Sequence, residues 1–413
     1  MYMACYGNAM IHLENWSEEN YNKNKKYVTS QNASEIFANI KYDDRMNFFK
    51  EWVKNTVEDE YLAYDITSIS TYANIVIAEY GYNRDKEDLP QINLGMYYGE
   101  KSKLPIYYNV YSGSITDKAE LEYMLKDNDT LGIENIRYVM DKGFFSKRNL
   151  QYFKNKGLKI IIPASFTVKY SNELIIEYPK YKMTNSKNRL AKSEMFAITV
   201  DSNKYGIDSN IHVYYSQQKD MDETNRLFEK INKLEEQLNS LKTLPKDLKK
   251  YDKYFKIDTK DDHSFTFSRN EDEINKEKEK FGYLILLNND KEISSKETLE
   301  IYRNKDVVEK SFDNLKNDLD MKRLKIHKQE TMEGKIFVAF ISLIIKSYLQ
   351  NKLKAYLIEK HLILQEVMNE LAKIKIITKG NRKELMQPLT KKQKEILSYF
   401  SITEEDIKSS LQS

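Results

Sequence analysis

The segment IRYVMDKGFFSKRNLQYFKNKGLKIIIPA, residues 136–164, contains two short apolar runs separated by a polar one. The runs IRYVM (136–140) and KIIIPA (159–164) are typical of short buried strands. Between them, SKRNLQYFKNKG predicts a helix, because serine can cap its first turn and glycine can end it. A strand, a helix and a second strand in succession indicate an α/β fold.

Three further strand-like runs precede this segment. They are YLAYDITSI (61–69), QINLGMYY (91–98) and PIYYNVYSG (105–113), all rich in β-branched and aromatic residues. Only GEKSKL separates the second run from the third, which predicts a hairpin. The run AELEYMLKDNDTLG (119–132) predicts a helix that ends near Gly132. The order β-β-β-α-β-α-β predicts a mixed sheet with flanking helices.

The next region is expected to be an insertion of short strands and one long polar helix. Its strand-like runs are ELIIEY (173–178), MFAITV (195–200) and NIHVYYS (210–216). In the helix predicted at 220–242, apolar residues recur every four and three positions. They are Leu227, Ile231, Leu234, Leu238 and Leu241. This spacing fits a hairpin arm packing on itself, which we favour, or a dimerisation zipper.

The patterns divide the chain into five segments. They are a mainly helical N-terminal segment (1–58), the first part of the sheet domain (59–165), an inserted strand-plus-helix region (166–280), the second part of the sheet domain (281–350) and a basic helical C-terminal region (351–413). The second part of the sheet domain starts with the strand GYLILLNN (282–289) and continues into a helix that carries Glu309. The most apolar run, IFVAFISLII (336–345), is too short to span a bilayer and predicts a buried helix.

Composition excludes several classes of protein. The 66 Lys and Arg residues nearly balance the 63 Asp and Glu residues, so any nucleic-acid-binding surface must be local. One candidate is the segment 373–394, which has eight basic residues and one acidic residue, although a solvated helix would look similar. Cys5 is the only cysteine, which excludes an intrachain disulfide and fits a reducing cytoplasm. The first thirty residues show no signal peptide, and we expect no membrane partner.

Three carboxylates occupy positions that suit metal-dependent chemistry. Asp65 lies inside the first strand-like run, where an unpaired carboxylate is costly to bury. Asp141 directly follows the strand IRYVM, at the kind of strand end where catalytic groups collect, although it could simply cap a turn. Together with Glu309 they form a set that could bind two divalent ions for phosphoryl transfer. Motifs such as HExxH, CxxC and GxxxxGK[ST] are absent.

Glu309 also belongs to a regular polar pattern on one helix. Tyr302, Lys305 and Lys316 share its face, at spacings of three, four and seven residues. Taken by themselves, these residues fit a solvated face with helical ion pairs at least as well as a functional site.

Four separated blocks of the sequence nevertheless agree with one family. YDITS (64–68), LPQINLGMYYG (89–99), VMDKGFFS (139–146) and the spaced residues from Tyr302 to Lys316 resemble the DDE transposases of bacterial insertion sequences. More narrowly, they resemble the group with a Y-x2-R-x3-E-x6-K signature. The resemblance spans about residues 36 to 350, with the blocks in the family's order.

The resemblance implies a fold, a reaction and partners. The sheet domain would be an RNase H-like catalytic domain. It would nick double-stranded DNA at the transposon ends and transfer the freed strand to target DNA. The enzyme would work as a homodimer on DNA, with two Mg²⁺ ions that Mn²⁺ can replace.

The resemblance also assigns roles to individual residues. Asp65, Asp141 and Glu309 would be the metal ligands and catalytic residues. DNA phosphates would be held by Tyr302, Lys305 and Lys316. Phe144 and Phe145 would stack on a displaced base, although either could equally pack in the core.

Two departures from the family pattern keep alternatives open. Lys305 stands where the signature has arginine, which keeps the charge but loses the planar fork that binds phosphate at two points. Only 64 residues precede Asp65, so the segment 1–58 could be a truncated DNA-binding region. The alternatives are therefore a DNA-binding remnant that does not transpose, or a general RNase H-like nuclease.

Overall fold

A computed structural model describes residues 1–7, 9–20, 27–57, 60–132, 136–241, 243, 247–259, 264–377 and 385–411. Contacts divide the chain into two compact units. The first unit comprises Met1–Val139 and Arg303–Ser413, and the second comprises Met140–Tyr302. The predicted inserted region, 166–280, falls wholly within the second unit, and the five-segment division itself stays a prediction.

The helices and strands follow in chain order. The chain begins with α1 (Tyr2–Tyr6), α2 (Leu13–Glu19), α3 (Ser30–Asn39), α4 (Tyr42–Thr56), β1 (Tyr61–Thr71), β2 (Gln91–Gly99), β3 (Pro105–Ser112), α5 (Asp117–Leu131) and β4 (Arg137–Met140). Next come α6 (Lys147–Lys156), β5 (Lys159–Pro163), α7 (Lys169–Glu177), α8 (Lys180–Met183), β6 (Met195–Ser202), β7 (Ser209–Ser216), α9 (Gln217–Ser240), β8 (Phe255–Thr259), β9 (Phe265–Arg269), α10 (Glu271–Lys278), β10 (Tyr283–Asn288) and α11 (Ser295–Asn304). The chain ends with α12 (Asp306–Asp313), β11 (Arg323–Leu324), α13 (Gln329–Lys360), α14 (Leu364–Leu371), β12 (Ile376–Ile377), β13 (Leu385–Met386), α15 (Lys391–Ser398) and α16 (Glu404–Ser410).

Local sequence signals account for most of these elements. The predicted order from β1 to β5 is confirmed, as is the hairpin of β2 and β3. Ser146 accepts a hydrogen bond from the amide of Asn149 at the start of α6, as predicted. Gly132 and Gly157 end α5 and α6 with φ values of 67° and 65°, in the left-handed region that favours glycine.

The sheet of the first unit has the strand order β3–β2–β1–β4, and β11 pairs with β1 in parallel. Strands β1, β2 and β3 are antiparallel, with a bulge between Tyr97 and Tyr98. Aromatic rings fill the core of this unit. Tyr108 on β3 packs against Phe340 on α13 with ring centroids 5.0 Å apart, and Phe49 on α4 contacts both. Helices α4 and α13 are thereby fixed against β3.

A glycine brings two helices of the first unit unusually close together. Gly334 on α13 lies directly against the backbone of Phe37 on α3, where an added Cβ would overlap the Phe37 carbonyl oxygen. Helix α13 contains the apolar run 336–345, which is largely buried as predicted. Among the described residues, no helix is both long and apolar enough to cross a membrane.

The sheet of the second unit has the strand order β5–β10–β7–β6, and these pairs are antiparallel. Strands β8 and β9 form a separate hairpin. The apolar seam of α9 packs against this hairpin and α10, burying Leu227, Ile231, Leu234 and Leu238 together with Tyr251, Tyr254, Phe255 and Ile274. The favoured interpretation, an arm packing on itself, is therefore confirmed for these four seam residues. The fifth, Leu241, is 40% exposed.

One predicted strand is wrong. The run ELIIEY (173–178) lies in α7, which extends from Lys169 to Glu177. The buried residues are Ser171, Leu174 and Ile175, at helical spacing, whereas Ile176 is exposed. The apolar composition of this run predicted a strand, but in the structure the run forms a helix and tertiary packing buries one of its faces.

The C-terminal region is helical as predicted, except that β12 and β13 form a short hairpin within the basic segment 373–394. The centre of that segment, 378–384, lies outside the described residues.

Candidate active site

Asp65 is the only half-buried residue in a strand whose other side chains are all buried. One of its carboxylate oxygens, Oδ1, accepts a hydrogen bond from the amide of Ile66 at 2.8 Å. In the register of β1 and β2, Asp65 stands directly opposite Met96. Residues opposite each other in an antiparallel pair point to the same face of the sheet, so Asp65 and Met96 share a face.

Helix α12 packs against β1 and β2 on that face. Ser311 of α12 donates a hydrogen bond to the sulfur of Met96 at 3.9 Å, and both residues are buried. Glu309 lies two residues before Ser311 on the same helix. The structure therefore brings Asp65 and the helix that carries Glu309 to one face of the first unit's sheet.

Glu309 itself reaches solvent and is held by a buried lysine. Its side chain is 57% exposed, whereas that of Lys305 is only 5% exposed. The Lys305 Nζ atom donates to Glu309 Oε1 at 2.9 Å. The helix predicted across 301–316 is interrupted at Lys305, which lies between α11 and α12. Lys305 and Glu309 are four residues apart, so their ion pair spans the first turn of α12.

Lys316 is also buried and paired, but with a distant residue. It lies in a π-helical turn, Asn314–Asp318, that continues α12. Its Nζ atom donates to Asp85 Oδ2 at 2.7 Å, and the two side chains are 9% and 21% exposed. Turns of this kind often occur at functional sites. Sequence reasoning missed Asp85, because 231 residues separate it from Lys316.

Asp141 and the two phenylalanines belong to the second unit. Asp141 is half-buried and precedes a 3₁₀ turn, Lys142–Phe144, in which its carbonyl oxygen accepts a hydrogen bond from the Phe144 amide at 3.1 Å. Phe144 is fully buried, and Phe145 packs edge-on against Tyr205 with ring centroids 5.3 Å apart. Their proposed stacking on a base would require these rings to be uncovered. Tyr302 is the last residue of this unit and is half-buried.

The carboxylates of the first unit have the chemistry that a hard divalent cation requires. Asp65 and Glu309 offer oxygen donors, which suit Mg²⁺ and Mn²⁺. In the part of the chain that the structure describes, no three His, Cys, Asp or Glu side chains are grouped closely enough to hold a metal ion. The donor type fits a cation, and the assignment of all three ligands stays a prediction.

A cleft of about 590 Å³ lies beside α12, between this helix, α13 and the β2–β3 turn. Its charged lining residues are Lys103, Arg303, Lys310 and Lys354, with Asp306 and Asp313. The Lys103 Nζ atom is buried without a hydrogen bond, and the Glu100 carboxylate lies 3.7 Å from it. The excess of cationic groups suits a phosphate backbone. Sequence reasoning missed this cleft, since its cationic residues come from separate parts of the chain.

Comparisons with known proteins add one assignment at the level of family. The profile described as "Transposase DDE domain" matches residues 58–345. No curated protein matches the chain. Among solved structures, the chain is similar to the piggyBac transposase in a cryo-EM synaptic complex with hairpin DNA, at 11% sequence identity and a TM-score of 0.40. That match covers 92% of this chain and 63% of the other.

Proposed function

The chain belongs to the transposase DDE-domain family, and from this we propose that it cuts DNA at the ends of a mobile element and joins the cut strand to new DNA. The observation that carries the proposal is the shared face of Asp65 and α12. The register of β1 and β2 supports it, together with the contact between Ser311 and Met96. The family match, residues 58–345, includes Asp65, Asp141 and Glu309.

Transposases of this family generally depend on divalent metal ions. We propose that Asp65, Asp141 and Glu309 hold two Mg²⁺ ions, which Mn²⁺ can replace. When bound, such ions supply the positive charge that activates an attacking water or 3′-hydroxyl and stabilises the leaving oxygen.

The chain's own residues would position these groups and the DNA. Lys305 holds the Glu309 carboxylate at one oxygen, which leaves the other oxygen available to a ligand. Lys316 is fixed by Asp85, so its position is defined before DNA binds. We propose that Tyr302, Lys305 and Lys316 contact phosphates of the element end, and that Phe144 and Phe145 stack on a displaced base. Contacts to phosphate fix the DNA register without reading its sequence.

The cleft between α12 and α13 offers a path for the DNA backbone in the first unit. Lys310 and Lys354 lie on its two helices, and Lys103 and Arg303 complete its cationic lining. Neutralising phosphates with such groups gives an affinity that falls steeply with salt. We propose that this cleft binds double-stranded DNA without sequence preference.

The finer assignments are also proposals. The order of strands and helices from β1 to β5 supports an RNase H-like catalytic domain. The residues from Tyr302 to Lys316 support the bacterial insertion-sequence group, with Lys305 in the arginine position. We propose a homodimer on DNA and a cytoplasmic location.

Cleavage of defined DNA ends tests the proposed function. Duplexes ending in the terminal repeats of the host element would be incubated with Mg²⁺ or Mn²⁺ and with wild type, Glu309→Gln or Glu300→Gln. Glu300 is an exposed glutamate on α11 and serves as the matched control. We expect nicking at the element boundary with wild type and the control, and none with Glu309→Gln.

The other outcomes would identify the alternatives. Binding of DNA without nicking by wild type would contradict the proposal and indicate a DNA-binding remnant. Nicking at any position on any duplex would indicate a general nuclease.

A further inference from the structure

The first unit contains a second cavity, of about 470 Å³, away from the carboxylates discussed above. It lies between α3, the start of α13 and the 3₁₀ turn Met10–His12. Its polar lining residues include Lys325, Lys335, Ser30 and Ser34. Its apolar lining residues include Met10, Phe37 and Ile326. This volume is within the range of about 300–1,000 Å³ that is typical of ligand pockets.

Lys335 is the feature of this cavity that most needs an explanation. It is 5% exposed, and it makes no hydrogen bond or ion pair with any residue that the structure describes. Burial and the positive charge of Lys325 lower the pKa of Lys335 to about 8, whereas the Asp320 carboxylate, which pairs with Lys325 at 3.0 Å, acts in the opposite direction. A buried ammonium group without a partner is costly, so the site favours a ligand that brings negative charge.

The backbone around Lys335 supports the same conclusion. Gly334 lets α3 lie directly against α13 at Phe37, and residues of both helices line the cavity. Helix α3 has ten residues, and its first turn contributes Ser30 and Gln31 to the cavity. Amide groups at a helix N-terminus carry partial positive charge and bind anions. Two lysine side chains and the first turn of α3 therefore line the same cavity, and Asp320 neutralises one of the two lysines.

We propose that this cavity binds a phosphate monoester, with the phosphate held by Lys335, Lys325 and the first turn of α3. The apolar lining residues Met10, Phe37 and Ile326 would contact the attached sugar or base. In a protein proposed to act on DNA, the ligand is either the 5′-phosphorylated end of a strand or a free nucleotide. The choice between these two sources of the ligand rests on the proposed function, whereas the phosphate site itself does not.

Equilibrium binding by the full chain, in EDTA, tests this site without any catalytic step. Short single strands with a 5′-phosphate or a 5′-hydroxyl would be compared, with dAMP and inorganic phosphate as competitors. The variants are Lys335→Met, Lys335→Arg and Lys328→Met, where Lys328 is an exposed lysine just before α13. Lys335→Met removes a buried charge and is expected to fold; if it does not, Lys325→Met at the exposed lysine provides the same test.

We expect the 5′-phosphate to strengthen binding by about tenfold, the contribution of one charge-assisted contact. The preference should disappear in Lys335→Met and persist in Lys335→Arg and Lys328→Met. Competition by dAMP at the affinity of the strand would identify a free nucleotide as the ligand, and weaker competition would identify a strand end. The proposal would be overturned if wild type bound the 5′-phosphate and 5′-hydroxyl strands equally and dAMP did not compete. It would also be overturned if Lys335→Met kept the wild-type preference for the 5′-phosphate.

This binding assay and the cleavage assay can fail separately. Glu309→Gln should lose cleavage and keep the preference for the 5′-phosphate, because Glu309 does not line the cavity.

Discussion

The Nζ atom of Lys305 lies 2.9 Å from Oε1 of Glu309, four residues further along the chain. The lysine is buried and the glutamate is exposed, so the pair holds one carboxylate at the surface of the first unit. A residue proposed to contact DNA phosphate thus also positions a proposed metal ligand. Phosphate binding and the positioning of Glu309 can be separated by replacing the Lys305 ammonium group with a planar guanidinium group of the same charge.

Lys305→Arg is expected to bind element ends more tightly than wild type, by about threefold to tenfold. A guanidinium can keep its bond to Glu309 and offer further donors to a phosphate, whereas an ammonium is a single point of charge. Electrophoretic mobility shift with terminal-repeat duplexes measures the effect, with Lys296→Arg on the exposed face of α11 as the control. Equal affinities for wild type and Lys305→Arg would contradict this prediction.

The ion pair of Lys316 and Asp85 is expected to stabilise the first unit. Asp85→Asn leaves a buried ammonium group without its carboxylate, and we expect the free energy of unfolding to fall by about 2 kcal/mol. The double variant Asp85→Asn with Lys316→Met should recover part of this loss, because no charge then remains buried. Urea unfolding of the single and double variants gives the coupling energy, and a coupling energy near zero would show that the pair does not contribute.

Gly334→Ala is expected to destabilise the protein, although alanine favours a helix over glycine by about 1 kcal/mol. The added methyl group overlaps the carbonyl oxygen of Phe37, so α3 must move away from α13. We expect a net loss of about 3 kcal/mol in the free energy of unfolding. In the control variant Gly157→Ala, the methyl group meets open space and only the positive φ is strained, which costs about 1 kcal/mol. A loss in Gly334→Ala no larger than in the control would argue against the close packing.

His212 in the second unit predicts a loss of stability in mild acid. Burial lowers the pKa of His212 to about 4, and its Nδ1 atom lies 2.9 Å from Thr199 Oγ1. Because the pKa is depressed in the folded state, the unfolded chain binds a proton at this site below about pH 6.5, whereas the folded chain does not. The contribution of His212 is therefore fully present above about pH 6.5 and falls by on the order of 3 kcal/mol as the pH approaches 4.

Urea unfolding of wild type and His212→Gln between about pH 4 and pH 7.5 measures this contribution. The variant has no titrating group at 212, so its free energy of unfolding should depend less on pH than that of wild type. Identical pH dependence in the two proteins would show that His212 titrates normally.

The sequence predicted the secondary structure well where the determining signals are local. Ser146 and Gly157, at the two ends of α6, each act within one helical turn, and the apolar and aromatic runs of β1 to β5 each indicate a buried strand. Prediction failed at α7, where an apolar run resembled a strand but packs as a helix, and at Lys305, where one predicted helix is interrupted. In both places contacts with other parts of the fold override a local preference.

The sequence by itself determined the mixed α/β class, the order of the elements from β1 to β5 and the position of each candidate site residue along the chain. It also carried the resemblance to DDE transposases, because that depends on residue types and their spacing. Tertiary structure decided which residues meet. Lys316 pairs with Asp85 across 231 residues, and Lys335 lies in a cavity made by α3, α13 and the turn at Met10. Such partners depend on how distant segments pack in three dimensions, and local spacing carries no information about that.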